Sequence, residues 1–396
     1  MRKEMFCSAK LCFELLTAEL SLCHSQRVQK KMLRVYPCKK NQRPFSEIFP
    51  IWDFLQEMFH MNSTTKFVSS LAASATAFAF MSVVSLSAAT AAEYPSKPIT
   101  LVAPYGAGGA SDMASRTMAS VLPSYLNQPV MVVNRTGAGG ITGSASVNKS
   151  KPDGYTLLLA RIGSQTVSPA MRANIPYKYD DFTMLAVIEL NPVICATASS
   201  KPYKTLKEFI DAVKANPGKL SFSSAGVGSM LHVAVPLILK LTGVKNPKEA
   251  MNHVPYKGGG NAATAAVGGH VDLICTNSSA LAGHIAGGKL RPLVITTKKR
   301  HAVAPNAPTA RELGYPELEV LVGWSGIYGP PGMDPKVVAK LRAALQKVKK
   351  DKAWNKFTKA LGSVPNILDG PATKKFVDQQ FNVFNNLVTE LDMRIE

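Results

Sequence analysis

The sequence predicts an α/β protein of two lobes, and three observations carry that reading. Four times an apolar run leads into a glycine-rich turn and then into helical spacing, at turns 106–109, 134–140, 224–229 and 253–260. The chain is 396 residues long, 46% hydrophobic and 18% charged, enough to bury two cores. Apolar segments near 193 and 323 divide the four units into two pairs, so two crossing strands are expected to form a hinge. The boundaries that follow are 93–195 plus 323–396 for lobe 1 and 196–322 for lobe 2.

The first unit shows the logic of all four. Residues 99–103 read as a strand, LVAPYGAGGASD (101–112) turns sharply, and Ala114, Met118, Val121, Leu122 and Tyr125 recur at helical spacing. Gly106, Gly108 and Gly109 let the backbone bring N–H groups close to a ligand, and Asp112 is placed to cap the helix. A strand at 130–133 precedes NRTGAGG (134–140), which reads either as a second such turn or as a tight turn alone, and a helix carrying Ala145 and Val147 follows. Pro152-Asp153-Gly154 then turns into a strand at 155–160, which ends at Arg161 beside Gly163, Ser164 and Gln165. Arg161 has two readings, a bidentate partner for a carboxylate or a solvated surface cation.

Helical spacing at 206–213 stops at Asn216-Pro217-Gly218. A strand at 220–223, the turn SAGVGS (224–229) and a helix at 231–241 form the third unit, with Pro236 expected to kink that helix or delay its start and His232 read as structural. HVPYKGGG (253–260) opens the helix at 261–267, where Lys257 either adds positive charge at the helix start or is merely solvated. Strands follow at 271–275 and 290–296. Residues 323–332 read as a rigid crossing segment, and Asp334-Pro335 opens a packing helix with Val337, Val338, Leu341, Ala344, Leu345 and Val348 on its apolar face. Val377, Phe381, Phe384, Val388 and Leu391 mark the last helix.

Before all this, residues 61–92 have the form of a secretory signal: Lys66, an apolar middle, and small residues around a cleavage point near Ala91 or Ala92. An uncleaved anchor is the competing reading, against which the abundance of Ser and Ala argues. Residues 1–60 contain no glycine and four of the six cysteines, and are expected to be a non-native upstream extension of a chain starting at Met61. Cys195 and Cys275 then remain, either as two buried thiols or, if their strands are adjacent, as a disulfide.

The formal charge is +20, and the first 92 residues, with 11 basic and 6 acidic, leave +15 on the rest. Such a balance serves solubility or attracts anions. Zinc spacing, helix-turn-helix spacing and aromatic-basic interleaving are all missing, which disfavours nucleic acid. GHIAGGKL (283–290) fails as a phosphate loop because Leu290 stands where Ser or Thr is required. The G-x-G turns lack the third glycine of the dinucleotide fingerprint, and no nucleophile elbow or metal-binding histidine pair occurs. No enzyme, cofactor or metal is expected. In open α/β sheets, ligands bind beyond strand ends where helix N-termini gather, so opposed units would hold an anion from both sides.

Taken in order, PYGAGGASD (104–112), NRTGAGG (134–140), PDGYTLL (152–158), SSAGVGS (223–229), HVPYKGGG (253–260), GGHVD (268–272) and GGKLRPL (287–293) closely resemble the tripartite tricarboxylate transporter substrate-binding receptors, the Bug or TctC-like family. The likeness runs from about Tyr94 to the C-terminus. It implies a monomeric periplasmic binding protein of the class II type, closing on a small organic carboxylate and delivering it to a membrane permease. Carried onto this sequence, it implies ligand contacts from Tyr105, Gly106, Ala107, Gly108, Gly109, Ser111 and Asp112, with Ser164 nearby, and from Ser224, Ala225, Val227, Gly228 and Ser229, with Tyr256 and Lys257. Ala107 and Thr136 stand where the family commonly has proline, and Arg161 where it has small polar residues. Arg161 is therefore the first candidate for a ligand-specific contact, to the far carboxylate of a diacid or to an aromatic ring. Rival readings are a receptor feeding a sensor kinase and an enzyme acting on an anion.

Overall fold

The computed structural model describes residues 93–395, so the expected signal segment and upstream extension lie outside the described residues. Strand β1 (Ile99–Ala103) leads into α1 (Ala110–Val121), a short α2 (Pro123–Leu126), β2 (Val130–Asn134) and α3 (Ile141–Asn148). β3 (Thr156–Arg161), α4 (Ser168–Met171) and the long β4 (Thr183–Ala198) follow. The chain then forms α5 (Leu206–Ala215), β5 (Ser221–Ser224), α6 (Met230–Leu241), β6 (Asn252–Pro255), α7 (Gly259–Val267), β7 (Leu273–Asn277), α8 (Ser278–Ala286) and β8 (Leu290–Ile295). It returns through β9 (Val322–Gly329), α9 (Pro335–Val348), α10 (Lys352–Ala360), β10 (Val364–Pro365) and α11 (Gly370–Glu390).

The strands run in the order β2-β1-β3-β9-β4-β7-β5-β6, with β8 and β10 also pairing to β4. β1 lies parallel to β2 and β3, and β5 lies parallel to β6 and β7. Such pairs need helical crossovers, and the strand, turn and helix units supply them. β4 joins the two halves. Its residues from Thr183 to Pro192 pair with β9, while Val193 to Ala198 pair with β7 and β8. Where two crossing strands are expected from the apolar runs, β4 and β9 run as antiparallel neighbours over Thr183 to Pro192.

Burial explains the continuous apolar runs. Ile99 and Leu101 of β1 pack on one face with Met118, Leu341, Leu345 and Trp354, whereas Val102 joins the core on the other face with Leu158, Val167 and Tyr328. A strand covered on both sides needs apolar residues at every position. In the second half, Ile194, Ile274, Ala262, Ala266 and Leu281 form a separate cluster.

Several expectations are corrected. Cys195 and Cys275 are register partners on β4 and β7 and form a disulfide, which overturns the buried-thiol reading. Asp112 does not cap α1. The cap position is Gly109, and Asp112 sits inside the first turn. α6 begins at Met230 and runs on through Pro236, so the helix starts before the proline and not after it. Elsewhere the expected caps hold, with Asp334 accepting from Lys336 N–H at 2.7 Å.

Candidate functional site

Four helices begin at one place. α1 follows Gly109, α6 follows Ser229, α7 follows Gly258 and α8 follows Asn277, so helix starts from both halves of the sheet face each other. Between them lies a cavity of about 40 Å³. Tyr105, Gly109, Ala110 and Ser111 line it from the first turn, and Arg161, Ile162 and Gly163 from the end of β3. The opposite wall is Ala225, Ser229, Met230, Leu231, Gly259, Thr276 and Asn277. The first N–H groups of a helix have no acceptor inside it, and its dipole is positive there. The cavity therefore presents donors and positive potential from both sides.

The halves meet glycine to glycine. Gly106 donates its N–H to Lys257 O at 2.9 Å. A Cβ on Gly109 would stand 3.1 Å from Gly260 N, and one on Gly260 would stand 2.7 Å from Ala107 O. Gly139, in the left-handed region at φ 67°, likewise backs onto the Val227 carbonyl. Side chains at these positions would hold the halves apart. Tyr105 braces the arrangement, its hydroxyl donating to Gly139 O at 2.6 Å and its ring lying against Gly140 and Gly163. Burial pushes that hydroxyl well above the ordinary tyrosine range, so it stays a donor.

Arg161 is buried, not solvated. Its guanidinium donates to Ser325 Oγ and, at 2.7 Å, to Asn277 Oδ1. Ser325 Oγ in turn donates to Glu189 Oε1 at 2.6 Å, and Glu189 lies 3.7 Å from Arg161. Burial lowers the arginine's pKa, and the Glu189 charge opposes that shift. This network joins β3, β4, β7 and β9 at the floor of the cavity, and it leaves the floor close to neutral. Charge for an anion comes from the helix starts. Ser111 adds a hydroxyl, buried and without a partner among the described residues.

A larger cleft of about 720 Å³ adjoins the cavity at Ala225. Gly137 to Gly140, Arg172, Gly226, Val227, Pro255, Tyr256, Lys257 and Asn261 also line it.

Of the residues named from the sequence, Tyr105, Gly109, Ser111, Arg161, Ala225 and Ser229 come together around the inner cavity. Val227, Tyr256 and Lys257 line the outer cleft instead. The rest line neither space. Gly106 ties the loops together, while Ala107 and Gly108 are exposed. The Asp112 carboxylate accepts from Gly108 N–H at 3.1 Å, Arg116 Nε at 3.0 Å and Asn134 Nδ2 at 3.0 Å. Burial alone would raise its pKa, but those hydrogen bonds and the Arg116 charge bring it below the ordinary value. Ser224 Oγ sits 2.6 Å from His253 Nε2 and accepts from Gly226 N–H. Ser168 Oγ donates to the Gly228 carbonyl, and Ser164 packs behind Gly140. Ala110, Gly163 and Gly259 stand in or beside the quoted motifs without being marked as contacts, and Ile162, Met230, Leu231, Thr276 and Asn277 lie outside them. The signal for the last two was the junction of β7 with α8, which carries no glycine.

Comparison with known proteins points the same way. The sequence profile of the TctC family, described as "Tripartite tricarboxylate transporter family receptor", matches residues 114–393. BugT of Bordetella pertussis is 32% identical over 320 residues, covering 80% of this chain and 96% of BugT. MatC of Rhodopseudomonas palustris, solved with bound malate, superposes with a TM-score of 0.69 at 28% identity over 74% of this chain and 100% of MatC. An R. palustris protein solved with adipate gives a TM-score of 0.71 at 25% identity, covering 76% of this chain and 99% of that one. With helix starts from two halves closing on one cavity, and with this extent of likeness, the chain belongs to the tripartite tricarboxylate transporter receptor family.

Proposed function

We propose that this chain is a periplasmic receptor that captures a small di- or tricarboxylate between two lobes, 93–195 plus 323–396 and 196–322, and delivers it to a tripartite membrane permease. The observation that carries the proposal is the convergence of the α1, α6, α7 and α8 starts on a cavity of about 40 Å³. That volume is a few water-sized probe spheres, at roughly 10–15 Å³ each, and suits one carboxylate head. Helix starts bind carboxylates through backbone N–H groups and dipole. The relatives solved with malate and adipate hold ligands of this chemistry.

One carboxylate oxygen would accept from N–H groups at Gly109 to Ser111 and the other from those of Met230 and Leu231, with the Ser111 hydroxyl as a further donor. Closure around the acid would bring the glycine turns into contact and present a joined surface to the permease. The test is thermal shift of the purified chain against mono-, di- and tricarboxylates, followed by calorimetry of the hits. A true ligand at 100 times its Kd should stabilise the protein by about 2.7 kcal/mol. A library in which no carboxylate moves the melting temperature would overturn the proposal. Loss of growth on the identified acid after gene deletion, restored by the wild-type chain, would separate delivery to a permease from sensing.

A further inference from the structure

We infer that the outer side of α9 and α10 is a docking surface for an anionic phospholipid bilayer, where lysines supply the attraction and Phe357 enters the headgroup layer. The inference is independent of ligand capture and concerns the surface on which the protein rests. Residues 334–360 hold nine basic and two acidic side chains, a net charge of +7. That is nearly half of the +15 carried from residue 93 onward.

The helices order this charge. In α9 the exposed Lys336, Lys340 and Lys347 are spaced four and seven apart, and in α10 the exposed Lys352, Lys356 and Lys359 are four and three apart, so each set forms one stripe. Lys349 and Lys350, also exposed, lie between the two helices. Leu341, Leu345 and Val348 of α9 and Trp354 of α10 are buried in one cluster with Ile99 and Leu101 of β1, which leaves both lysine stripes on the solvent side. The two carboxylates of the stretch are engaged as helix caps: Asp334 accepts from Lys336 N–H, and Asp351 accepts from Trp354 N–H and from the Tyr125 hydroxyl. Of the eight lysines only Lys340 forms an ion pair among the described residues, with the exposed Glu93.

Two observations favour lipid over a protein partner. Protein interfaces are depleted in lysine and enriched in arginine. Here every exposed cation is a lysine, and Arg342, the one arginine of the stretch, is half-buried and donates to the Met184 carbonyl at 2.8 Å. Phe357 is 47% exposed and follows Lys356 directly in α10. Lysines flanked by an exposed phenyl ring suit a helix lying on an anionic membrane, where charge attracts and the ring settles at the acyl boundary.

The experiment is vesicle sedimentation of the wild-type protein, purified without detergent, using vesicles of phosphatidylcholine alone and of a two-to-one mixture with phosphatidylglycerol. Binding should be confined to the mixed vesicles and should fall about tenfold or more between about 0.1 M and 1 M salt, as the Debye length shrinks from about 10 Å to about 3 Å. Lys347→Gln, Lys350→Gln, Lys352→Gln and Lys356→Gln combined should lose about tenfold or more, and Phe357→Ala about threefold. A control combining Lys219→Gln, Lys245→Gln, Lys289→Gln and Lys298→Gln removes the same charge from other exposed positions and should stay within about twofold of wild type. Equal losses in the two quadruple variants, or equal binding to neutral and anionic vesicles, would overturn the docking surface. Lipid and salt dependence are read on the wild type, so they test the inference even if a quadruple variant folds poorly. A wild-type protein that ignores anionic vesicles but pellets with vesicles carrying inner-membrane proteins would overturn lipid docking and assign the lysine stripes to a protein partner.

Discussion

Arg161 and Glu189 are both buried beneath the cavity, and each is the other's charge partner. Removing one member of a buried pair leaves an uncompensated charge, at a cost of about 3–5 kcal/mol. Glu189→Ala should therefore destabilise the fold by about 3 kcal/mol in urea titration. Arg161→Ala should lose at least tenfold in ligand affinity as well, because Asn277 and Ser325 lose their fixed positions; unchanged affinity would remove Arg161 from the site. Ser111 behaves differently. Its hydroxyl is buried and unpaired, so Ser111→Ala should leave stability within about 0.5 kcal/mol and weaken carboxylate binding tenfold or more, the value of a hydrogen bond to a charged group at about 1.5–3 kcal/mol. Stability loss without binding loss would place that hydroxyl in the scaffold instead. Arg161 is legible in the sequence as a cation at the end of β3, but its partners are not, since Glu189, Asn277 and Ser325 come from strands far along the chain.

His232 stacks on His253 with ring centroids 4.1 Å apart behind the third glycine turn. Burial pushes His253 down to about 4 and His232 to about 3, the latter helped by His253 and Arg172. An unfolded chain takes up these protons near 6.5. Between that pH and the folded values the unfolded state binds more protons, so stability falls on acidification from about 6.5 and flattens below about 3. Urea titration at pH 7.5 and 4.5 should show the drop, and His232→Gln should reduce it. An identical drop in that variant would assign the acid sensitivity elsewhere.

At the scale of elements, the glycine turns carry the account. Gly260 lies in the first turn of α7, and its φ is not in the left-handed region, so alanine there is not strained in the open protein. In the closed arrangement that Cβ would press on Ala107 O and Gly108. Gly260→Ala should fold normally, bind the acid at least tenfold more weakly and show no ligand-induced compaction by small-angle scattering. Wild-type compaction in this variant would contradict glycine-mediated closure. Such turns were legible in the sequence because strand, glycine cluster and helical spacing are each local signals. β7 was legible as a strand, but the helix start that follows it was not, because Thr276 and Asn277 form that junction without a glycine. The disulfide was open for a related reason. Cys195 and Cys275 lie 80 residues apart, and only strand pairing reveals that they face each other.

The described residues form one sheet shared by two halves through β4, with glycine turns on both sides of that strand. Order along the chain predicted the two pairs of units and the crossing strands. It could not predict that the halves leave an inner cavity and a cleft beside it, which depends on side chains meeting between them. The most direct measurement is a crystal structure of the protein with the dicarboxylate that stabilises it most. One carboxylate should lie within about 2.7–3.2 Å of backbone N–H groups from both the Gly109–Ser111 start of α1 and the Met230–Leu231 start of α6. A carboxylate held by one half alone, or by side chains remote from these helix starts, would contradict it.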